Sequence, residues 1–293
     1  MSTETLYAHL QSGVTHTCHC WLIQRRDGRT LGFTDHDRPL QFDGVVYMPQ
    51  NGLSARAIAS TTGLSVNNTE AFGILSDDAI SEADIMAGRF DAASVQVWLV
   101  CWDDVAARKL LFRGTLGEIT RGAGGFEAEL HGLTEALNQM QGRSYLKTCS
   151  AVLGDQRCRF ALDHASYRLE YTLQTASDGQ VFEVAAGDTF QAGWFENGTL
   201  LVMSGAAAGL QGVIKTDVGT QARLLTLWSP LLAPIGPGDV IRITAGCDKS
   251  PTTCREKFGN LLNFQGFPDI PGDDWLVSVP RSDRANTGGS LSR

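Results

Sequence analysis

Cysteine is the residue type in this chain with the widest chemical range, and there are seven. Four of them form two pairs. Cys149 and Cys158 lie in "KTCSAVLGDQRCRF" with eight residues between them, and Cys247 and Cys254 lie in "GCDKSPTTCREKFGN" with six between them. Four thiolates suit a zinc ion or an iron–sulfur cluster. Both gaps are wider than the roughly two to four residues of a zinc knuckle, whereas a bulkier cluster spreads its ligands and tolerates wide gaps. Pro251 argues against an unbroken helix across 247–254 and places the second pair on a loop, where backbone amides could donate to sulfur. Four buried free thiols, or one oxidised pair, fit the same spacing.

Two other stretches could carry chemistry. "HTCHCW" puts His16, Cys18 and Cys20 on one strand face and His19 on the other. Metal-dependent hydrolysis of cell wall is the enzymatic reading of these side chains. Same-face neighbours on one strand are too far apart to wrap an ion, so a buried strand with small apolar thiols is the simpler account. "TDHDRP" offers Asp35, His36 and Asp37 as acid–base groups or ligands for the same activity. Its turn-like surroundings favour a hydrogen-bonded corner instead. The chain contains no G-x-S-x-G, H-E-x-x-H, P-loop or dinucleotide fingerprint, which tilts the reading away from an enzyme.

The elements that must position the four cysteines are mostly strands. A short helix is expected over 3–11, then strands joined by turns at Asp27-Gly28 and Asp43-Gly44. "SEADIMAGRF" reads as a helix capped by Ser81. "ASVQVWLVCW" reads as a strand buried on both faces, and 108–132 as two strands around a glycine-rich turn at 122–125. A helix is expected over roughly 133–141. Beyond residue 165, short strands alternate with turn signals, Asp178-Gly179 and Asn197-Gly198 being the clearest hairpin cues. That spacing implies a small sandwich or barrel. If its first and last strands are neighbours, the two cysteine pairs meet at its base. The fold class is mainly β with a few short helices. The expected organisation is an N-terminal domain over 1–145, a β-rich domain over 146–279 and a flexible polar tail over 280–293.

Bulk properties bound the function. Hydrophobic content of 43% with 19% charged residues fills a core and excludes global disorder. A net charge of −8 argues against binding nucleic acid through its phosphates. No apolar run is long enough to span a bilayer. The N-terminus lacks the pattern of a secretory signal, so synthesis and folding in the cytosol are expected. In that compartment thiols and metal ligands are commoner than disulfides.

"AGCDKSPTTCREKFGNLLNFQGFPDIPGDD" closely resembles the end of a family of conserved phage and prophage proteins. Members include the tail-tip hub of bacterial gene transfer agents. The resemblance extends to "WFENGTLLVMSGAAAGLQGVIKT" and to "GFTDHDRPLQFDGVVYMP", so it covers nearly the whole chain. More distantly, the chain is similar to tail-tip hubs of phages with long non-contractile tails. The resemblance implies tail-tube-like β-barrel domains and a C-terminal domain whose four cysteines hold a [4Fe–4S] cluster. Its ligands here would be Cys149, Cys158, Cys247 and Cys254, with zinc as the alternative occupant. Cys18, Cys20 and Cys101 have no place in that pattern. The resemblance further implies a homotrimeric ring at the tail tip of a virion or similar particle, assembled in the bacterial cytoplasm. Such a ring joins the distal tail protein above to a large tip or fibre protein below, and DNA passes through its channel without sequence-specific contacts.

Overall fold

The computed structural model describes residues 2–49, 68–69, 80–122, 125–132, 142, 144–185 and 189–270. The fold is mainly β, with a nearly closed barrel-like sheet and a few short helices. The chain divides into two units, Met1–Met140 and Gln141–Arg293. The helix expected over 133–141 and the tail expected over 280–293 lie outside the described residues.

The first unit opens with α1 (Ser2–Gln11) and builds one eight-stranded sheet. Its strands are β1 (Thr17–Gln24), β2 (Thr30–Thr34), β3 (Leu40–Phe42), β4 (Val45–Pro49), β5 (Asn68–Thr69), β6 (Ser94–Cys101), β7 (Arg108–Gly122) and β8 (Gly125–Gly132), in the spatial order β3-β4-β2-β1-β6-β7-β8-β5. The β3–β4 hairpin turns on Asp43 and Gly44, both at positive φ (51° and 75°), as a two-residue turn of the primed type requires. β1 and β6 sit in mid-sheet and are buried on both faces. Alternation sends Trp21, Ile23, Val95 and Val97 into one apolar cluster and Cys18, Cys20 and Val100 into another. α2 (Glu82–Met86) starts where expected, its N-cap Ser81 accepting a 3.1 Å hydrogen bond from the Asp84 N–H. Asp84 in turn binds Arg25, a guanidinium only 1% exposed that also holds Asp27 and lies over the Phe90 ring.

The second unit is a six-stranded antiparallel sheet around a single core. Its strands are β9 (Arg168–Thr172), β10 (Val181–Ala185), β11 (Thr199–Val202), β12 (Gln211–Val218), β13 (Ala222–Leu227) and β14 (Val240–Thr244). They run in the order β10-β13-β12-β11-β14-β9, so the first and last strands in sequence are neighbours, Arg168 opposite Thr244. Phe182, Leu200, Ile214, Leu225, Leu227, Ile241 and Ile243 point inward with no exposed surface. The same core contains an ion pair: Arg223 and Asp217 are both 0% exposed at 2.7 Å. Asp217 also accepts from the Phe195 N–H at 2.9 Å, and Arg223 donates to the carbonyls of Phe190 and Gln191. The pair therefore pins the loop that enters β11.

The two hairpin cues read in this unit are corrected by the topology. Asp178-Gly179 precedes β10 and Asn197-Gly198 precedes β11, but neither turn joins strands that pair with each other. Sharp corners between non-paired strands need positive φ as much as hairpins do, and Asn197 (61°) and Gly179 (85°) supply it. The consecutive strands that do pair are β11 with β12 and β12 with β13, the latter turning around Gly219.

Candidate functional site

The β9–β14 ladder brings together segments far apart in sequence. Cys149 and Cys158 precede β9, Cys247 follows β14, and Cys254 comes seven positions later. Gly246 forms the exit from β14. A Cβ there would lie 1.7 Å from the Glu196 carbonyl oxygen, so only glycine lets the chain leave the sheet so close to the 194–198 loop. Beyond it Ser250 caps α3 (Pro251–Glu256), accepting from the Thr253 N–H at 3.1 Å, and Pro251 occupies the first turn. This corrects the loop expectation for Cys254, which lies in the helix. Proline is disfavoured inside a helix but pre-set for its first position.

All four sulfur-bearing residues line one cavity. Ala151, Lys249, Asn260, Asn263 and Phe264 complete much of its wall, and the space totals about 340 Å³, part of it open to solvent. Cys158 and Cys254 are buried, Cys149 and Cys247 half-buried. The walls are tied to one another by the protein itself. Cys149 donates its N–H to the Lys249 carbonyl at 2.9 Å, and the Lys249 ammonium donates to the Ala151 carbonyl at 2.5 Å. Lys257, at the end of α3, donates to the carbonyls of Gly246 (2.8 Å) and Trp194 (2.6 Å), closing the loop that carries Cys247 and Cys254. Phe258 stacks near Tyr167 and Phe160 and seals the base, while Phe267, 39% exposed, lies against Tyr145 outside it.

The sulfurs face hydrogen-bond donors. The Gln265 N–H lies 3.4 Å from the Cys149 Sγ, and the Asn260 side-chain amide 3.5 Å from the Cys158 Sγ. Burial pushes the Cys247 thiol up, against the Lys249 backbone N–H and ammonium, which favour its thiolate. Burial also pushes Cys254 up, and the charges of Cys247, Cys149 and Cys158 add to it. Both effects favour the neutral thiol at Cys247 and Cys254. Among the described residues, no three His, Cys, Asp or Glu side chains are gathered closely enough to hold a single metal ion.

The other sequence candidates do not converge. Cys18 donates towards the Val100 carbonyl (3.7 Å) and Cys20 towards the Thr34 hydroxyl (3.6 Å), inside the apolar cluster with Leu40, Phe42 and Tyr47. The neighbouring Cys18 and burial push the Cys20 thiol far above its ordinary value. His16 lies before β1 rather than on its face, and its ring stacks on Trp102 at 4.7 Å. Asp35 pairs with His19 at 2.9 Å, whereas the His36 Nδ1 accepts from the Arg38 N–H at 3.0 Å and lies 3.2 Å from Asp37. These contacts stabilise a corner and leave no nucleophile beside a base. Asn260, Asn263, Lys249, Lys257 and Gln265 were not singled out from sequence. Their one signal is that all lie within or beside the C-terminal stretch that carries the resemblance.

Comparison with known proteins identifies the class. A profile for the "Baseplate hub protein, N-terminal attachment domain" matches residues 3–161. A second, for the "Phage conserved hypothetical protein BR0599", matches residues 193–274. The first includes Cys149 and Cys158, the second Cys247 and Cys254. A mainly β chain with these two matches is a phage-type structural protein. A solved chain from "Virion of native gene transfer agent (GTA) particle" is 54% identical, with a TM-score of 0.90 over 98% of this chain and 99% of that one. No curated protein matches. With the first profile spanning more than half of its length, the chain belongs to the baseplate hub family. No helix among the described residues is long and apolar enough to cross a membrane.

Proposed function

We propose that the chain is a non-enzymatic structural hub at the tip of a phage-like tail. In this reading three copies form a ring that joins the distal tail protein to a tip or fibre protein and surrounds the channel through which DNA leaves. Cys149, Cys158, Cys247 and Cys254 hold a [4Fe–4S] cluster within each copy. Family membership and the likeness to a virion chain support the hub role. The observation that carries the cluster is the convergence of all four sulfurs on one cavity.

The donor set fits the group. Tetrahedral zinc with bonds of about 2.3 Å would draw its sulfurs to roughly 3.8 Å from one another. The N–H groups of Gln265 and Asn260 aimed at sulfur are the contacts that stabilise coordinated thiolate. When bound, the cluster would supply four metal–thiolate bonds joining chain segments on either side of the barrel, so that binding becomes folding free energy. The chain's own residues shape the pocket, screen it with Phe258 and Phe264 and orient the sulfurs. Net charge of −8 agrees with a channel through which DNA slides without sticking.

The test is iron, acid-labile sulfide and zinc content on protein purified without oxygen, with its visible spectrum. About four iron and four sulfide per chain are expected. One zinc per chain would replace the cluster by a mononuclear clip, and no metal would sink the site. Electron microscopy of purified oligomers tests the ring, which fails if the protein stays monomeric in assembled particles.

A further inference from the structure

We infer that Asn260 is the positioning residue of the four-thiol site, holding the Cys158 sulfur in its ligating state and coupling that loop to the helix of Cys254. Four contacts place it there. The Asn260 backbone N–H donates to the Cys254 carbonyl at 2.9 Å. Its side-chain Nδ2 donates to the Cys158 carbonyl at 2.7 Å and faces the Cys158 Sγ at 3.5 Å. The fourth contact fixes which way the amide points: Asn263 Nδ2 donates to Asn260 Oδ1 at 2.7 Å. With its oxygen engaged by Asn263, the amide presents only N–H groups to Cys158. A carboxylate of the same shape would present only acceptors, against a sulfur that must carry negative charge.

This geometry joins the two cysteine pairs directly. Cys158 and Cys254 are 96 positions apart, and Asn260 touches both segments through different groups. Loss of the side chain leaves the helix-end hydrogen bond of the backbone intact, so the two roles are separable. A donor to ligating sulfur raises the reduction potential and slows loss of the metal, as such outer contacts do elsewhere. The part of the inference concerning metal rests on the cluster reading above. The part concerning the Cys158 loop does not.

The experiment compares wild type with Asn260→Asp and Asn260→Ala, using the full chain. Hydrogen exchange on the metal-free proteins should show residues 153–162 exchanging about tenfold faster in both variants, with the barrel strands unchanged. After anaerobic reconstitution with iron and sulfide, the variants should bleach in air about tenfold faster than wild type. Their midpoint potentials should be more negative, Asn260→Asp the more strongly. Wild type that takes up no iron would overturn the cluster reading, and exchange at 153–162 would then decide the positioning role alone. Unchanged exchange would overturn that role in the metal-free protein. Unchanged bleaching and potential in loaded variants would overturn it for the cluster. If Asn260→Asp fails to fold, Asn263→Ala, which frees the amide without removing it, should show the same trends at smaller amplitude.

Discussion

Buried sulfur occurs in both units, and the contrast lies in which way the hydrogen bonds run. In the first unit Cys18 and Cys20 act as donors, towards a carbonyl and a hydroxyl, among apolar side chains. Packed among Leu40, Phe42 and Tyr47, such a pair serves as a small hydrophobic filler. In the second unit the sulfurs of Cys149 and Cys158 are acceptors, facing an N–H each. An N–H aimed at sulfur is the kind of contact that a metal-bound sulfur accepts. Counting cysteines cannot separate the two cases, whereas the polarity of their neighbours does.

The sharpest break of this comparison is a cysteine substitution in each unit. Cys247→Ser should abolish iron uptake and melt roughly 10 °C or more below iron-loaded wild type, since lost metal binding is lost folding free energy. Cys20→Ala should leave iron content untouched and cost about 1 kcal/mol through a small cavity, read by urea unfolding. Equal iron loss from both would erase the distinction.

Between these extremes lies the core of the second unit. Arg223→Met strands the Asp217 carboxylate among apolar side chains and should cost about 3–5 kcal/mol in urea unfolding. The double change Arg223→Met with Asp217→Leu should recover most of that loss. It leaves the Phe195 N–H without its acceptor, so recovery will be incomplete.

The smallest effect belongs to the surface pair of the first unit. The hydrogen bond that the His19 Nδ1–H donates to Asp35 raises the His19 pKa above its ordinary value, although both side chains are more than one-third exposed. A raised imidazole pKa contributes stability that is complete below the unfolded value and lost as pH rises through the folded one. Asp35→Asn should therefore lower stability by less than about 1 kcal/mol near pH 5.5 and by nothing at pH 9. Thermal melts at both values check the sign.

Much of this arrangement was legible beforehand. Period-two alternation marked β6 as buried on both faces, and the Asp43-Gly44 pair marked a hairpin because its positive φ values admit few other residues. The four cysteines were legible by type and by resemblance. The partners of Asp178-Gly179 and Asn197-Gly198 were not, because a turn residue reports local backbone geometry and says nothing of which strands pair. Cys254 was misplaced because Pro251 was weighed as a helix breaker when Ser250 before it makes it a helix starter. Asn260 left no trace, since an amide's role depends on what the tertiary fold puts opposite it.

The pairing of β9 with β14 has a consequence for the order of events in the cell. Cys158 and Cys247 are separated by 88 residues, and their sulfurs share a cavity only once the last strand lies against the first. A nascent chain that has made only Cys149 and Cys158 therefore has half of the cavity wall. The cavity is therefore complete only after the segment carrying β10 to β13 has been made and its two ends have paired.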